Sequence, residues 1–304
     1  MKKILKSAAT LGLLTGILAV SSWGQYSSGW SSGSTSGTCG SGSSSWGGFG
    51  GRLQVVGLTS DQRLICFSED SPENASTIGF VTGFIAPDSR MIGMDYRPAN
   101  SRLYGLGNAG GIYTIDPANG RATLVSRLTV ALSGTSFGVD FNPVVDRMRI
   151  ISNTGQNLRA NVDNGVTAVD GTLTYTVPPA TPATPALGVT GAAYTNNDSD
   201  PNTVTTLYDI DSNLDQVVIQ SPANSGILSA TGKLTVDTND SIGFDIYSTI
   251  RNGTTVNVQG LASLTVGGRV GLYSITLFSG KANSRGLFRS TDQVLDIAIP
   301  LNQL

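Results

Sequence analysis

The chain has 304 residues, with no histidine, two glutamates (Glu69 and Glu73), five lysines and 38 glycines. Charged residues make up 13 %, about half the usual quarter, and the formal net charge is −2. This inventory argues against a helix-rich protein, whose surfaces draw on Glu and Lys. It also removes the commonest general base and zinc ligand, and it offers no electrostatic footprint for nucleic acid.

Residues 1–21 read as a cleavable signal peptide. Three lysines within Met1–Lys6 precede an apolar run from Ala8 to Val20, too short to cross a bilayer. Ala19 and Ser21 are the small residues that cleavage after Ser21 requires, with Gly24 as a second option. The expected location is the periplasm or the exterior of a bacterial cell, with no transmembrane span in the mature chain. An uncleaved membrane anchor is the alternative.

Residues 22–51 form a Ser/Gly-rich spacer that carries every tryptophan of the chain, Trp23, Trp30 and Trp46, together with Tyr26 and Phe49. Its composition predicts a flexible tether. The aromatics leave two readings open: a segment that drives self-association or surface contact, or an inert linker.

From residue 52 to 304 one unit recurs. Val55–Thr59 and Leu64–Ser68 open the series as strands of an incomplete first blade. The second blade shows all four strands, at Met91–Tyr96, Arg102–Leu106, Gly111–Asp116 and Ala122–Ser126. Its first strand, Ile92-Gly-Met-Asp-Tyr96, returns as Phe137-Gly-Val-Asp-Phe141, Thr190-Gly-Ala-Ala-Tyr194 and Ile242-Gly-Phe-Asp-Ile246. Its third strand returns at Asn157–Asn161, Leu207–Asp211 and Leu272–Thr276, each ending on a residue that favours turn entry. Gly120, Gly165 and Gly280 follow four residues later, where a left-handed conformation suits glycine. The C-terminal Val294–Ile299 resembles the first strand that the N-terminal blade lacks. The expected fold is all-β, a single β-propeller over residues 52–304 with five four-stranded blades. It is closed by pairing of the C-terminal strand with the N-terminal blade. A two-sheet sandwich is the rival, but it does not demand a repeat.

The stretches GMDYRPANSRLYGLGNAGGIYTIDPANGRATLV (93–125), LSGTSFGVDFNPVVDRMRIISNTGQNLRANVDNG (132–165) and AAYTNN with TTLYDID (192–211) resemble domain of unknown function 4394. That resemblance implies a bacterial, usually exported protein with propeller-like repeats, and no reaction, substrate or partner. The fifth blade departs from the pattern, since LYSITLFSGKANSRGLF lacks the acidic turn of the other copies.

Several residues stand out as candidate sites. Asp95, Asp140 and Asp245 share one column, broken by Ala193. If that strand lines the channel, three carboxylates offer the oxygen ligands that Ca2+ favours. A latch in which each Asp binds backbone amides fits the repetition equally. Asp209-x-Asp211-x-Asn213-x-Asp215 lacks the glycine and the terminal Glu of a calcium loop, and reads as a hairpin. Arg147, Arg149 and Arg159, with Asn142, Asn157 and Asn196, form the least repetitive polar group. Convergent guanidiniums could grip a carboxylate, a sulfate or an acidic sugar; ion pairs with Asp140, Asp146 or Asp163 are the structural alternative. Cys39 in the spacer and Cys66 on a strand face shared with Thr114, Asp209 and Ser274 suggest a disulfide pinning the spacer to the ring. An intermolecular bond is the rival. Cys66 is expected to be reachable, and Thr181–Pro185 to be a stiff loop.

No cofactor other than Ca2+ is expected. Without histidine a serine triad in its usual form is excluded. The expected function is therefore a non-catalytic binding or surface-interaction module, taking a protein or glycan ligand at a propeller face. A histidine-free carbohydrate-active enzyme, lyase or glycosidase, using Asp and Arg is one alternative. A structural component of a cell envelope or extracellular matrix is another.

Overall fold

Short runs rich in Val, Ile, Leu and Tyr, cut by turns of Asn, Asp and Gly, favour strands over helices, and strands dominate the chain. The computed structural model describes residues 52–175, 184–196, 198–200 and 202–303. The expected signal peptide and spacer, and with them Cys39, lie outside the described residues.

Blade I contains β1 (Gln54–Thr59), β2 (Arg63–Ser68) and β3 (Ser76–Phe80). Blade II contains β4 (Met91–Arg97), β5 (Arg102–Gly107), β6 (Gly111–Ile115) and β7 (Ala122–Arg127). Blade III contains β8 (Phe137–Asn142), β9 (Arg147–Ser152), β10 (Asn157–Ala160) and β11 (Thr167–Val169). Two short strands follow, β12 (Thr174–Tyr175) and β13 (Thr184–Pro185). They extend the outer edge of blade IV, which comprises β14 (Val189–Tyr194), β15 (Leu207–Asp211), β16 (Gln216–Gln220) and β17 (Ile227–Lys233). Part of the segment expected to be a loop is thus sheet, because Thr174 and Tyr175 pair with both Pro185 and Thr184 and the start of β17. Leu207–Asp211, expected as a third strand, is the second, because it pairs directly with the innermost strand β14. Blade V contains β18 (Gly243–Arg251), β19 (Thr254–Val266), β20 (Arg269–Ile275) and β21 (Ala282–Leu287). The last strand, β22 (Val294–Ala298), joins blade I as its innermost member, giving the order β22-β1-β2-β3. Val56 lies opposite Ala298 and Gly57 opposite Ile297.

Alternation within each strand sends successive side chains into opposite seams. The buried apolar residues accordingly form five clusters, one per blade interface. Leu58 and Leu64 meet Met94 and Tyr113 between blades I and II, and Leu106 meets Phe141 and Met148 between II and III. Ile151 meets Leu207 and Val218 between III and IV, Tyr208 meets Phe244 between IV and V, and Leu261 meets Phe67 between V and I. Cys66, 6 % exposed, belongs to the first of these clusters. The expectation that it is reachable therefore fails.

The glycine column of the innermost strands has a steric cause. A Cβ at Gly138 would stand 2.8 Å from Ala192 N and 2.9 Å from Thr190 O on the next blade, so only glycine lets these strands approach so closely. At the blade tips, Asp116 Oδ1 accepts Ala118 N at 2.9 Å, and Gly120 closes the turn with φ +80°.

Candidate functional site

The innermost strands, β22, β4, β8, β14 and β18, follow one another around the axis. They carry Asp95, Asp140 and Asp245 to the centre, where one oxygen from each lies within 4.8 Å of the others. Three carboxylates at that spacing could hold a metal ion. A fourth, Asp296 of β22, joins the group and was not singled out from the sequence. The closing strand resembles a first strand in sequence, but Val294 stands where the other copies have glycine; aligning it on its aspartate instead places Asp296 in the acidic column.

The carboxylates also bind backbone, blade to blade. Asp95 accepts Tyr96 N at 2.6 Å and Phe141 N of the next blade at 2.9 Å. Asp245 accepts Ile246 N and Ile299 N, each at 2.6 Å. Asp296 accepts Ile297 N at 2.9 Å and Met94 N at 2.7 Å, while Asp140 takes the amide of Tyr194. Where Ala193 breaks the series, the Ser248 hydroxyl accepts Asn196 N at 2.7 Å and bridges blades IV and V. Burial raises all four carboxyls above the usual carboxylate range. Repulsion among them adds to the rise at Asp95, Asp140 and Asp296, and the amide donors pull against it. Asp245 is pushed up to about 6.

A second polar centre is a cleft of about 380 Å³ at the seam of blades III and IV. Arg147, Arg149, Arg159 and Asn142 line it from blade III, and Tyr194 and Asn224 from blade IV. Arg149 is 1 % exposed and nearly saturated. Its Nε donates to Tyr194 Oη at 3.2 Å, Nη1 to Asn157 Oδ1 at 2.7 Å and Asp170 Oδ2 at 2.6 Å, and Nη2 to Asn224 Oδ1 at 2.9 Å. Arg159, beside it on β10, donates Nε to the same Asp170 oxygen at 2.6 Å, leaving its terminal nitrogens towards the cleft. Among the described residues, Arg147 donates only to the carbonyls of Val145 and Asp146. Asn142 holds the intervening turn by accepting Val144 N at 3.0 Å.

The ion pairs differ from those expected. Arg97 of blade II takes both Asp146, at 2.5 Å, and Asp163, at 2.8 Å, which leaves neither for the blade III arginines. Asp140 points to the axis, and Asp170 supplies the charge that Arg149 and Arg159 share. Four of the six expected residues therefore line one cleft. Asn157 stands behind it as Arg149's partner, and Asn196 lies apart, on the loop after β14. Asp170 and Asn224 escaped sequence reasoning because they come from different blades at positions that do not repeat. Asp209 also enters this seam. It is fully buried, with neither carboxylate oxygen hydrogen-bonded, and burial raises it well above the usual range against the pull of Arg149. The segment Asp209–Asp215 is a hairpin, with Asp211 Oδ1 accepting Asn213 N and Leu214 N.

Fold and sites together define the class: a five-bladed β-propeller with an acid-ringed axis and an arginine-lined seam. The chain belongs to the family described as domain of unknown function DUF4394, whose sequence profile matches residues 63–298, as the sequence resemblance implied. No curated protein matches it. Among solved structures it is similar to a chain of a nidogen/laminin complex, with 11 % identity and TM-score 0.46 over 84 % of this chain and 100 % of that one. It is also similar to a structural genomics protein of unknown function from Bacteroides thetaiotaomicron, with 15 % identity and TM-score 0.40 over 78 % and 58 % of the two chains. BamB from Moraxella catarrhalis gives 13 % identity and TM-score 0.31 over 75 % and 56 %. Among the described residues, no helix is long and apolar enough to cross a membrane.

Proposed function

We propose that the protein is an exported, non-catalytic binding module whose ligand presents an anionic group to the cleft between blades III and IV. The observation that carries this reading is the excess of guanidinium there. Three arginines line the cleft, and the one carboxylate paired with any of them, Asp170, serves two. Arg147 has no carboxylate within 4.0 Å among the described residues, and Arg159 uses one nitrogen for its ion pair. A planar carboxylate or a sulfate fits such a fork with two parallel hydrogen bonds. No carboxylate is among the residues lining the cleft, so the paired acids of glycoside hydrolysis are not built into it.

The test is calorimetric titration of the full mature chain with galacturonate and with sulfated monosaccharides, with product detection in parallel. Binding that is lost in Arg159→Ala while Tm is retained supports the reading. Unchanged affinity in Arg159→Ala and Arg147→Ala overturns it, and released product overturns the non-catalytic assignment.

A further inference from the structure

The blade III cleft has a counterpart one blade earlier. Arg102 opens β5 opposite Arg97, as Arg147 opens β9 opposite Asn142. The two arginines therefore sit at equivalent turns, on the same face of the ring. Arg102 lines a second cleft, of about 480 Å³, together with Arg121, Thr114, Thr123 and Tyr96. Neither Arg102 nor Arg121 has an ion-pair partner among the described residues, and both are exposed. The cleft's carboxylate, Asp116, is committed to its own turn, accepting Ala118 N at 2.9 Å and Asn119 Nδ2 at 2.7 Å. Tyr96 is 5 % exposed, yet its buried hydroxyl has no hydrogen-bond partner. That hydroxyl is closed off from the cleft, whose reachable polar groups are the two guanidiniums and the hydroxyls of Thr114 and Thr123.

We infer that this cleft of blade II is a second subsite on the same face, and that the ligand spanning both subsites is a carboxylated oligosaccharide. The inference rests on the anion reading of the first cleft. The blade II cleft offers hydroxyls beside its guanidiniums, from Thr114 and Thr123, which suit a polyhydroxylated anion better than an acidic peptide. Repeated carboxylates along one chain engage two cationic clefts at once, and the second engagement is intramolecular.

The test compares galacturonate, an oligogalacturonate of about ten residues, a sulfated oligosaccharide of similar length and polyglutamate on the full mature chain. Oligogalacturonate binds at least about tenfold more tightly than the monomer. The double variant Arg102→Ala, Arg121→Ala brings its affinity down to that of the monomer and reduces monomer stoichiometry from two sites to one, the remaining site keeping its affinity. If the double variant binds the oligomer as wild type does while Arg159→Ala does not, the second subsite fails and the first stands. If only the double variant loses binding, the second cleft stands and the anion reading of the first fails. Tighter binding of polyglutamate or of the sulfated chain overturns the assignment to a carboxylated saccharide.

Discussion

Arg149 and Arg159 lie opposite one another on adjacent strands and share Asp170, yet their surroundings assign them different roles. Arg149 is buried among Asn157, Asn224 and Tyr194, and removing it strands polar groups of two blades inside the seam. Arg149→Met is expected to lower stability by about 3 kcal/mol or more. Arg159 is one-third exposed at its side chain, so Arg159→Ala costs under about 1 kcal/mol but removes donors from the cleft. Urea unfolding separates the two effects: a large loss in Arg159→Ala would contradict the division of roles. The arginines were legible in the sequence because they interrupt a repeat of Thr, Ser and Tyr. Their partners were not, because Asp170 and Asn224 meet only when blade IV folds against blade III.

The recurring strands show what periodicity can and cannot convey. Gly93, Gly138, Gly191 and Gly243 mark the innermost strand in four blades, where a Cβ would meet the next blade's backbone at Gly138 and Gly243 and packed side chains at Gly93 and Gly191. The fifth copy, β22, lacks that mark, and the aspartate it carries was therefore missed. Asp296 nevertheless binds the blade I strand to blade II through Met94 N. Asp296→Ala leaves the amides of Met94 and Ile297 buried without acceptors, each costing about 1–3 kcal/mol. Asp296→Asn keeps one acceptor oxygen and removes a charge facing Asp245, so its loss is expected to be smaller, a ranking that urea midpoints would check. Blade V, whose sequence departs from the family pattern, keeps the common turn without its acid. Thr276 O accepts Gly280 N at 2.8 Å and Thr276 N meets Lys281 O at 2.9 Å. Backbone geometry suffices there, so the missing aspartate leaves the strand pairing of Ile275 with Ala282 intact.

Across the molecule, the axial carboxyls link stability to pH in an unusual direction. Burial and mutual repulsion raise their pKa values in the fold above those of the unfolded chain, so the folded state holds protons more tightly. This contribution is full below the unfolded carboxylate range and declines as pH rises through the folded values, with Asp245 titrating near 6. Tm is expected to fall between about pH 5 and about pH 8, and the slope to flatten in Asp95→Asn; a Tm that rises over this interval would refute the electrostatic account. Millimolar Ca2+ at the alkaline end distinguishes the two uses of the acids. If they hold the ion, Tm rises with its concentration and Asp140→Asn abolishes the rise; if Tm does not move, they act as amide acceptors alone.

The closure of the ring brings Gln54 and Gln303 together. Gln303 Oε1 accepts Gln54 N at 2.8 Å, and its Nε2 donates to Gln54 O at 2.9 Å. The order of the blades along the chain is consequently a convention of where the backbone happens to be cut. A circular permutant joined from residue 303 to residue 52 and opened at the exposed Asn252–Gly253 turn would pair the same strands. In that chain blade I would be synthesised whole, and blade V would become the one assembled from both ends.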